Sequence, residues 1–315
     1  MSESRIPVIL DVDTGVDDAL ALALAVASPE AEIVAVTTLA GNVDVGRATA
    51  NTLTVLDWLG ATDVSVHYGA SSPLARDHVD AAFVHGENGL GNAEFPASKR
   101  SPGNDRGPAA VIRLAKERPG ELTLVCLGPL TNLAIALNVE PTLGERLRRV
   151  VMMGGAFAVA GNVTPHAEFN VYCDPEAAFK VFRSALPNIT VVGLDVTHQT
   201  ALPRAAWEAA GELSSTTAML VSRVCRRTFT EREMDGFYLH DPLAVAVALD
   251  PTLVVTETGS IDVDLSEGER GRVRLGGGGG LQIAKQVDAE RFLASFGDAM
   301  GLPAELMRVP PPTAE

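Results

Sequence analysis

Short β-branched and apolar runs alternate with helical stretches along most of this chain, and no other feature limits its fold as strongly. Strands are predicted at 6–11, 32–38, 63–67, 121–127, 148–153 and 189–194, and helices at 16–26, 45–59, 108–117, 131–138 and 175–185. Such alternation predicts α/β architecture, an open and mainly parallel sheet flanked by helices on both faces. The helix at 175–185 opens Asp174-Pro175-Glu176, a cap followed by proline in the first turn, and a second Asp-Pro opening stands at Asp241-Pro242. Residues 202–234 read as helical and partly amphipathic, a flap suited to cover a site. Beyond Pro251 the pattern changes to short strands at 253–257, 261–264, 271–275 and 281–285 with a closing helix near 289–299, and Gly276 to Gly280 reads as a flexible hairpin tip. The organisation expected is one domain over 1–308, with core elements at 5–200, a helical flap at 202–239, C-terminal hairpins and closing helix at 240–308, and a frayed tail at 309–315.

At the end of the first strand, Asp11, Asp13, Asp17 and Asp18 crowd into eight residues. Like charges this close repel by a few kcal/mol per pair at an effective dielectric of ~20, so the cluster calls for a positive partner. A divalent cation that prefers oxygen, Ca²⁺ or Mg²⁺, is the simplest one. Capping of the following helix accounts for one or two of the four. An EF-hand loop fails on spacing, because its fifth position is Gly15 and its twelfth is Leu22. The start of a HAD-like phosphatase, with Asp11 as nucleophile and Asp13 as acid, stays open. That chemistry needs a lysine for the phosphoryl group, and Lys99, Lys116, Lys180 and Lys285 stand at no obvious strand end.

The acidic cluster has company. Polar residues follow the other strands: Gly41-Asn42, Gly128-Pro129-Leu130-Thr131-Asn132, Gly154-Gly155 and Asp195-Val196-Thr197-His198. Carboxyl ends of parallel strands share one rim of a sheet, so these groups are expected to face a common crevice. The segment Gly161 to Asn170 gathers two amides, an acid and an imidazole, a set suited to a ligand rich in hydroxyl groups, although a surface loop with Asx turns reads almost as well. His240-Asp241 opens an otherwise apolar helix. Beside a metal the aspartate is a candidate ligand, and the histidine, with a pKa near neutrality, a candidate acid.

Charge and composition narrow the partners. Lys plus Arg number 25 against 40 acids, a net charge of −15 that argues against nucleic acid and anionic membrane surfaces. No apolar run is long enough to span a bilayer and the start, Met1 to Arg5, has no signal-peptide pattern. Cys126, Cys173 and Cys225 are widely spaced without a CxxC and read as reduced, buried thiols of a cytoplasmic protein.

Together these residues closely resemble the nucleoside hydrolase family, the inosine–uridine-preferring nucleoside N-ribohydrolases. The resemblance rests on Asp11 to Asp18, Gly41-Asn42, His85 to Gly91, Leu127 to Asn132, Met153-Gly154-Gly155, Gly161 to Asn170, Asp174 to Ala178 and His240-Asp241-Pro242. It implies an open α/β sheet with a Rossmann-like core. It also implies Ca²⁺ ligated by Asp13, Asp18, Asp241 and the backbone carbonyl of Leu127, with Asp13 as general base on water and Asp11 bracing from behind. By the same resemblance, Asp17, Asn162, Glu168 and Asn170 hold the ribose hydroxyls with Asn42 close by, Met153, His85 and Phe169 border sugar and base, and His240 protonates the leaving base. The implied reaction is Ca²⁺-dependent hydrolysis of ribonucleosides to free base and ribose, by a homodimer or homotetramer.

That chemistry suits the residues. Glycosidic cleavage passes through an oxocarbenium-like state, which a ring of carboxylates stabilises. Departures from the family pattern concern specificity: Leu127 stands where threonine is frequent, the 154–161 stretch is apolar, and the glycine run is unusual. The aromatics Phe229, Phe237 and Tyr238 suit either helix core or a cover over the nucleobase, so purine or pyrimidine preference is not legible. A nucleoside-binding protein that has lost turnover is the non-enzymatic alternative, which intact Asp13, Asp18 and Asp241 oppose.

Overall fold

In the computed structural model, residues 5–308 are described apart from Ala185 and Pro187; the tail expected at 309–315 lies outside the described residues. The central strand β1 (Ile6–Val12) is buried along nearly its whole length, as expected of a strand covered on both faces. Its side chains alternate: Val8, Leu10 and Val12 join one hydrophobic cluster and Ile9 the other. Parallel neighbours β2 (Ala31–Thr38) and β4 (Thr123–Cys126) flank it, followed outward by β3 (Ser65–Tyr68) on one side and β5 (Arg149–Met153) and β6 (Ile189–Val192) on the other. The order β3-β2-β1-β4-β5-β6 is that of a doubly wound sheet, in which the topology reverses between β1 and β4 and leaves a crevice beyond their carboxyl ends.

The Val16–Ala27 helix leaves β1 through Asp13 to Gly15. Its alternating leucines and alanines are buried on every side, against the Val45–Trp58, Thr216–Val224, His240–Leu249 and Ala289–Met300 helices. The flap region expected as helix contains Arg204–Gly211, Thr216–Val224 and Arg226–Thr230. Two short antiparallel strands clasp its ends, β7 (Ala201–Pro203) and β8 (Gly236–Tyr238). This clasp sets Phe237, Tyr238 and then His240 beside the crevice. Among the described residues no helix is long and apolar enough to cross a membrane, and all three cysteines are buried and free.

The C-terminal reading needs correction. Four short strands and several hairpins were expected; two long strands form one hairpin, β9 (Val254–Val263) and β10 (Val273–Val287), and β10 also pairs parallel with β6. Gly276 lies opposite Ser260 and Leu281 opposite Gly259, so residues 277–280 loop out of a continuous strand. The glycine run is therefore a bulge and not a hairpin tip. Without side chains these residues carry no alternation, which is why the pattern breaks there in sequence. Gly279 has φ +100°, and a Cβ on it would come within 2.7 Å of the Gly259 carbonyl.

Candidate active site

The four clustered aspartates occupy four different environments. Asp11, on the Ile9 face of β1, accepts from Thr37 Oγ1 at 2.5 Å and Asn132 Nδ2 at 2.7 Å. Asn132 also donates to the Thr38 carbonyl, so Asp11 anchors a knot between β1, β2 and the helix after β4. Asp13 Oδ2 accepts the Asn42 backbone N–H at 2.7 Å. Two glycines make room for its carboxylate: a Cβ on Gly41 would fall on Asp13 Oδ2, and one on Gly128 would lie 2.9 Å from Oδ1. Asp18 accepts from the N–H groups of Asp13 at 3.2 Å and Gly15 at 2.9 Å, and from Asn42 Nδ2 at 3.1 Å. It is the residue that caps the helix. Asp17 faces the crevice.

Asp241, in the first turn of the His240–Leu249 helix, completes the set. Carboxylate oxygens of Asp17, Asp18 and Asp241 all lie within 4.8 Å of one another. Asp13 Oδ1 and Asp17 Oδ1, with Asp11 Oδ2, are buried without a hydrogen-bond partner. Unpaired buried oxygens at such density form an acidic group able to hold a hard cation. The electrostatics agree. Burial, then Asp18, pushes Asp17 up to about 8; burial followed by neighbouring carboxylates holds Asp13 and Asp241 well above the usual range. Burial also raises Asp18, and takes Asp11 to about 6 against the bonds from Thr37 and Asn132.

Above this floor opens a cavity of about 670 Å³. Of the residues singled out in the sequence, Asp17, Asn42, His85, Leu127, Met153, Asn162, Glu168, Phe169, Asn170, His240 and Asp241 line it; Asp11, Asp13 and Asp18 lie behind them. The HAD-like reading fails here, because Asp11 is 1% exposed, clamped by its two donors and turned away from the cavity. Asn170 Nδ2 donates to the carbonyls of Leu127 at 2.6 Å and Met153 at 3.2 Å, which ties two strand ends together. Glu168 accepts backbone N–H groups from Gly155, Asn170 and Val171, capping its own helix while shaping the glycine turn after β5. Asn162 is exposed at the mouth and accepts the Phe169 N–H at 2.9 Å.

Both histidines differ from the near-neutral acid expected for His240. Burial, then the neighbouring histidines His198 and His85, drives His240 down to about 3. Burial followed by Arg232 and Arg227 does the same to His85. His85 Nδ1 accepts the Val16 N–H at 3.0 Å, so this ring is neutral and satisfies one orphan donor of the buried helix. The aromatics divide: Phe229 is core, stacked on Trp207 with centroids 4.9 Å apart, whereas Phe237 and Tyr238 line the cavity. His198, one of the strand-end polar residues expected at the crevice, lines the cavity, its ring 4.7 Å from that of Tyr238 and 5.8 Å from that of His240. Its signal was its place just beyond β6. Sequence reasoning missed Phe83 and Val84 of the apolar lip; Val159, in the 154–161 stretch, and the wall residues Thr228, Arg232 and Met234, in the flap, belong to regions it had singled out without naming them. Asp195, at the same strand end, accepts from the Phe157 and Ala158 N–H groups and braces the 154–161 loop instead of facing the cavity.

The sequence profile described as inosine-uridine preferring nucleoside hydrolase matches residues 8–294. The chain belongs to this family. The hydrolase is 39% identical over 280 residues to the probable uridine nucleosidase 2 of Arabidopsis thaliana, an alignment covering 86% of each chain. A solved plant nucleoside hydrolase superposes with a TM-score of 0.90 at 34% identity, covering 95% of this chain and 100% of the other. The purine-preferring ribonucleoside hydrolase from Gardnerella vaginalis gives 0.87 at 36% identity, covering 96% and 99%. The hydrolase is an enzyme that splits the N-glycosidic bond of ribonucleosides with water, and its buried acidic group is able to hold a metal ion.

Proposed function

We propose that the hydrolase works with Ca²⁺, held by Asp13, Asp18, Asp241 and the Leu127 carbonyl, and that Asp17 reads the ribose hydroxyls beside it. The observation that carries this reading is the group of unpaired, buried carboxylate oxygens under a cavity walled by amides and imidazoles. The division between Asp17 and the deeper pair rests on the family resemblance; Asp17 lines the cavity and Asp13 and Asp18 do not, which supports it, although Asp241 also lines the cavity and Asp17 lies within 4.8 Å of Asp18 and Asp241. A bound divalent cation supplies positive charge that acidifies and orients water next to the sugar. Asp13 is the base that takes the proton, as the family resemblance implies, and its Oδ1 has no hydrogen-bond partner to compete for it. Asn170, Glu168 and Asn162 face the sugar hydroxyls with Asn42 near them, and Met153, His85 and Phe169 line the sugar and base. Carboxylates on one face stabilise the positive charge that develops on the ring. Water attacks without a protein nucleophile, which inverts the anomeric carbon. The apolar lip and Phe237 and Tyr238 cover the nucleobase, and His240 donates to it as it departs.

Relatives bear both uridine and purine-preferring names, so the preferred base is left to experiment. The test is a panel of ribonucleosides with detection of ribose and free base, run with calcium and again after chelation. Release of ribose from at least one nucleoside, abolished by chelation and restored by Ca²⁺, is the expected result. No ribose from any nucleoside, or undiminished turnover without the metal, refutes the reading.

A further inference from the structure

His240 is held from behind by a residue with no other use for its hydroxyl. Thr197 closes the short Leu194–Thr197 helix after β6 and is fully buried. Its Oγ1 lies 2.7 Å from His240 Nδ1. The main-chain groups of Thr197 are engaged elsewhere, the N–H with the Gly193 carbonyl and the carbonyl with Thr200 Oγ1. Oγ1 has no second hydrogen-bond partner among the described residues. A hydroxyl offers one proton, and a buried proton without an acceptor is costly. Were Nδ1 to carry hydrogen, it would donate to Oγ1 and leave the threonine proton stranded. With hydrogen on Nε2, Thr197 donates to Nδ1 and both groups are satisfied.

We infer that Thr197 is a positioning residue for this reaction: it donates to His240 Nδ1 and so presents Nε2–H to the departing nucleobase. The inference rests on the proposed reaction for its chemistry, although the tautomer stands independently of turnover. His240 lines the cavity, and Nε2 is the ring nitrogen left for a ligand. An N–H aimed at a base nitrogen or carbonyl stabilises the charge that accumulates when the glycosidic bond breaks. It matters most for bases that leave poorly as anions and least for a leaving group already stable as one. The neighbouring rings of His198 and Tyr238 pack around His240 and keep it in that plane.

Two measurements test this. The first is the nitrogen-15 spectrum of histidine-labelled protein, with the His240 signal assigned by its disappearance in His240→Gln. The Nε2–H tautomer is expected in the wild type and is lost or mixed with the other in Thr197→Val, which removes the hydroxyl at nearly constant volume. The second is kinetic. In Thr197→Val, kcat on a ribonucleoside falls about tenfold with KM little changed, the size expected for one hydrogen bond. The same variant turns over a riboside of 4-nitrophenol, whose anion needs no proton, at the wild-type rate, and Thr197→Ser recovers the nucleoside rate. An Nδ1–H tautomer in the wild type overturns the inference, as does a Thr197→Val variant that slows both substrates alike. A wild type that releases no ribose from any nucleoside overturns the assigned reaction instead, and the spectrum then judges the tautomer alone.

Discussion

Removing the cation turns the acidic floor into a pH-dependent liability. Asp17 titrates at 3.8 in a free chain and at about 8 in the folded one. A carboxyl whose folded pKa is raised binds more protons folded than unfolded. Its stabilising contribution is therefore fully present below the unfolded value and is lost as pH rises through the folded one. His85 and His240 act with the opposite sign, but only between about 3 and 6.5, where the folded rings are neutral and the unfolded ones charged. Above that limit the carboxyls alone decide. From about pH 6.5 to about pH 8, Asp17 by itself costs roughly 2 kcal/mol at 1.36 kcal/mol per pKa unit. Asp13 and Asp241, pushed in the same direction, add to it. For a chain of this size Asp17 alone corresponds to a fall in Tm of about 3 °C. On the proposed reading calcium replaces those protons, so its stabilisation is expected to grow with pH, by RT ln(1 + [L]/Kd) and thus ~2.7 kcal/mol at a hundredfold excess over Kd. Scanning calorimetry of chelated and calcium-saturated protein across that window measures both slopes. A chelated Tm that is flat or rises, or a calcium shift equal at the two ends, refutes the reasoning.

Two substitutions probe the same floor. Asp13→Asn keeps the shape and the bond from Asn42 but removes the base, so turnover falls by at least about 10²-fold while the chelated protein at about pH 8 melts higher than wild type; near-normal ribose release rules Asp13 out as the base. Gly41→Ala places a methyl on the Asp13 carboxylate, costing about 1–3 kcal/mol in thermal unfolding and most of the activity, and an unchanged kcat shows that the close approach is dispensable.

Much of the sheet was legible because its strands are buried on both faces and read as apolar runs, with β1 the clearest case. The acidic floor was legible too, since four carboxylates in eight residues have few physical explanations. The C-terminal hairpin was misread where glycine removes the side-chain alternation on which strand reading depends. The division of labour among the aspartates was only half readable: sequence places Asp17 and Asp18 side by side, but only the geometry shows that Asp18 caps the helix while Asp17 faces the cavity. Helix capping and metal binding had been weighed against each other, and Asp18 caps the helix while its carboxylate also lies within 4.8 Å of those of Asp17 and Asp241. Thr197 and His198 were legible as residues at a strand end facing the crevice, but not in their roles, which depend on His240 and Tyr238, some forty residues away along the chain.

The proposed ion site draws Asp13 and Asp18 from the start of the chain, Leu127 from its middle and Asp241 from near its end. Loops of this length close late, after the strands between them have paired. Nothing resembling the ion site can exist in the unfolded chain or in a partly assembled sheet. An ion held at the proposed site is therefore expected to act on the exit from the native state and not on the approach to it: folding should proceed at the same pace with or without calcium, while the bound metal should lengthen the lifetime of the finished enzyme.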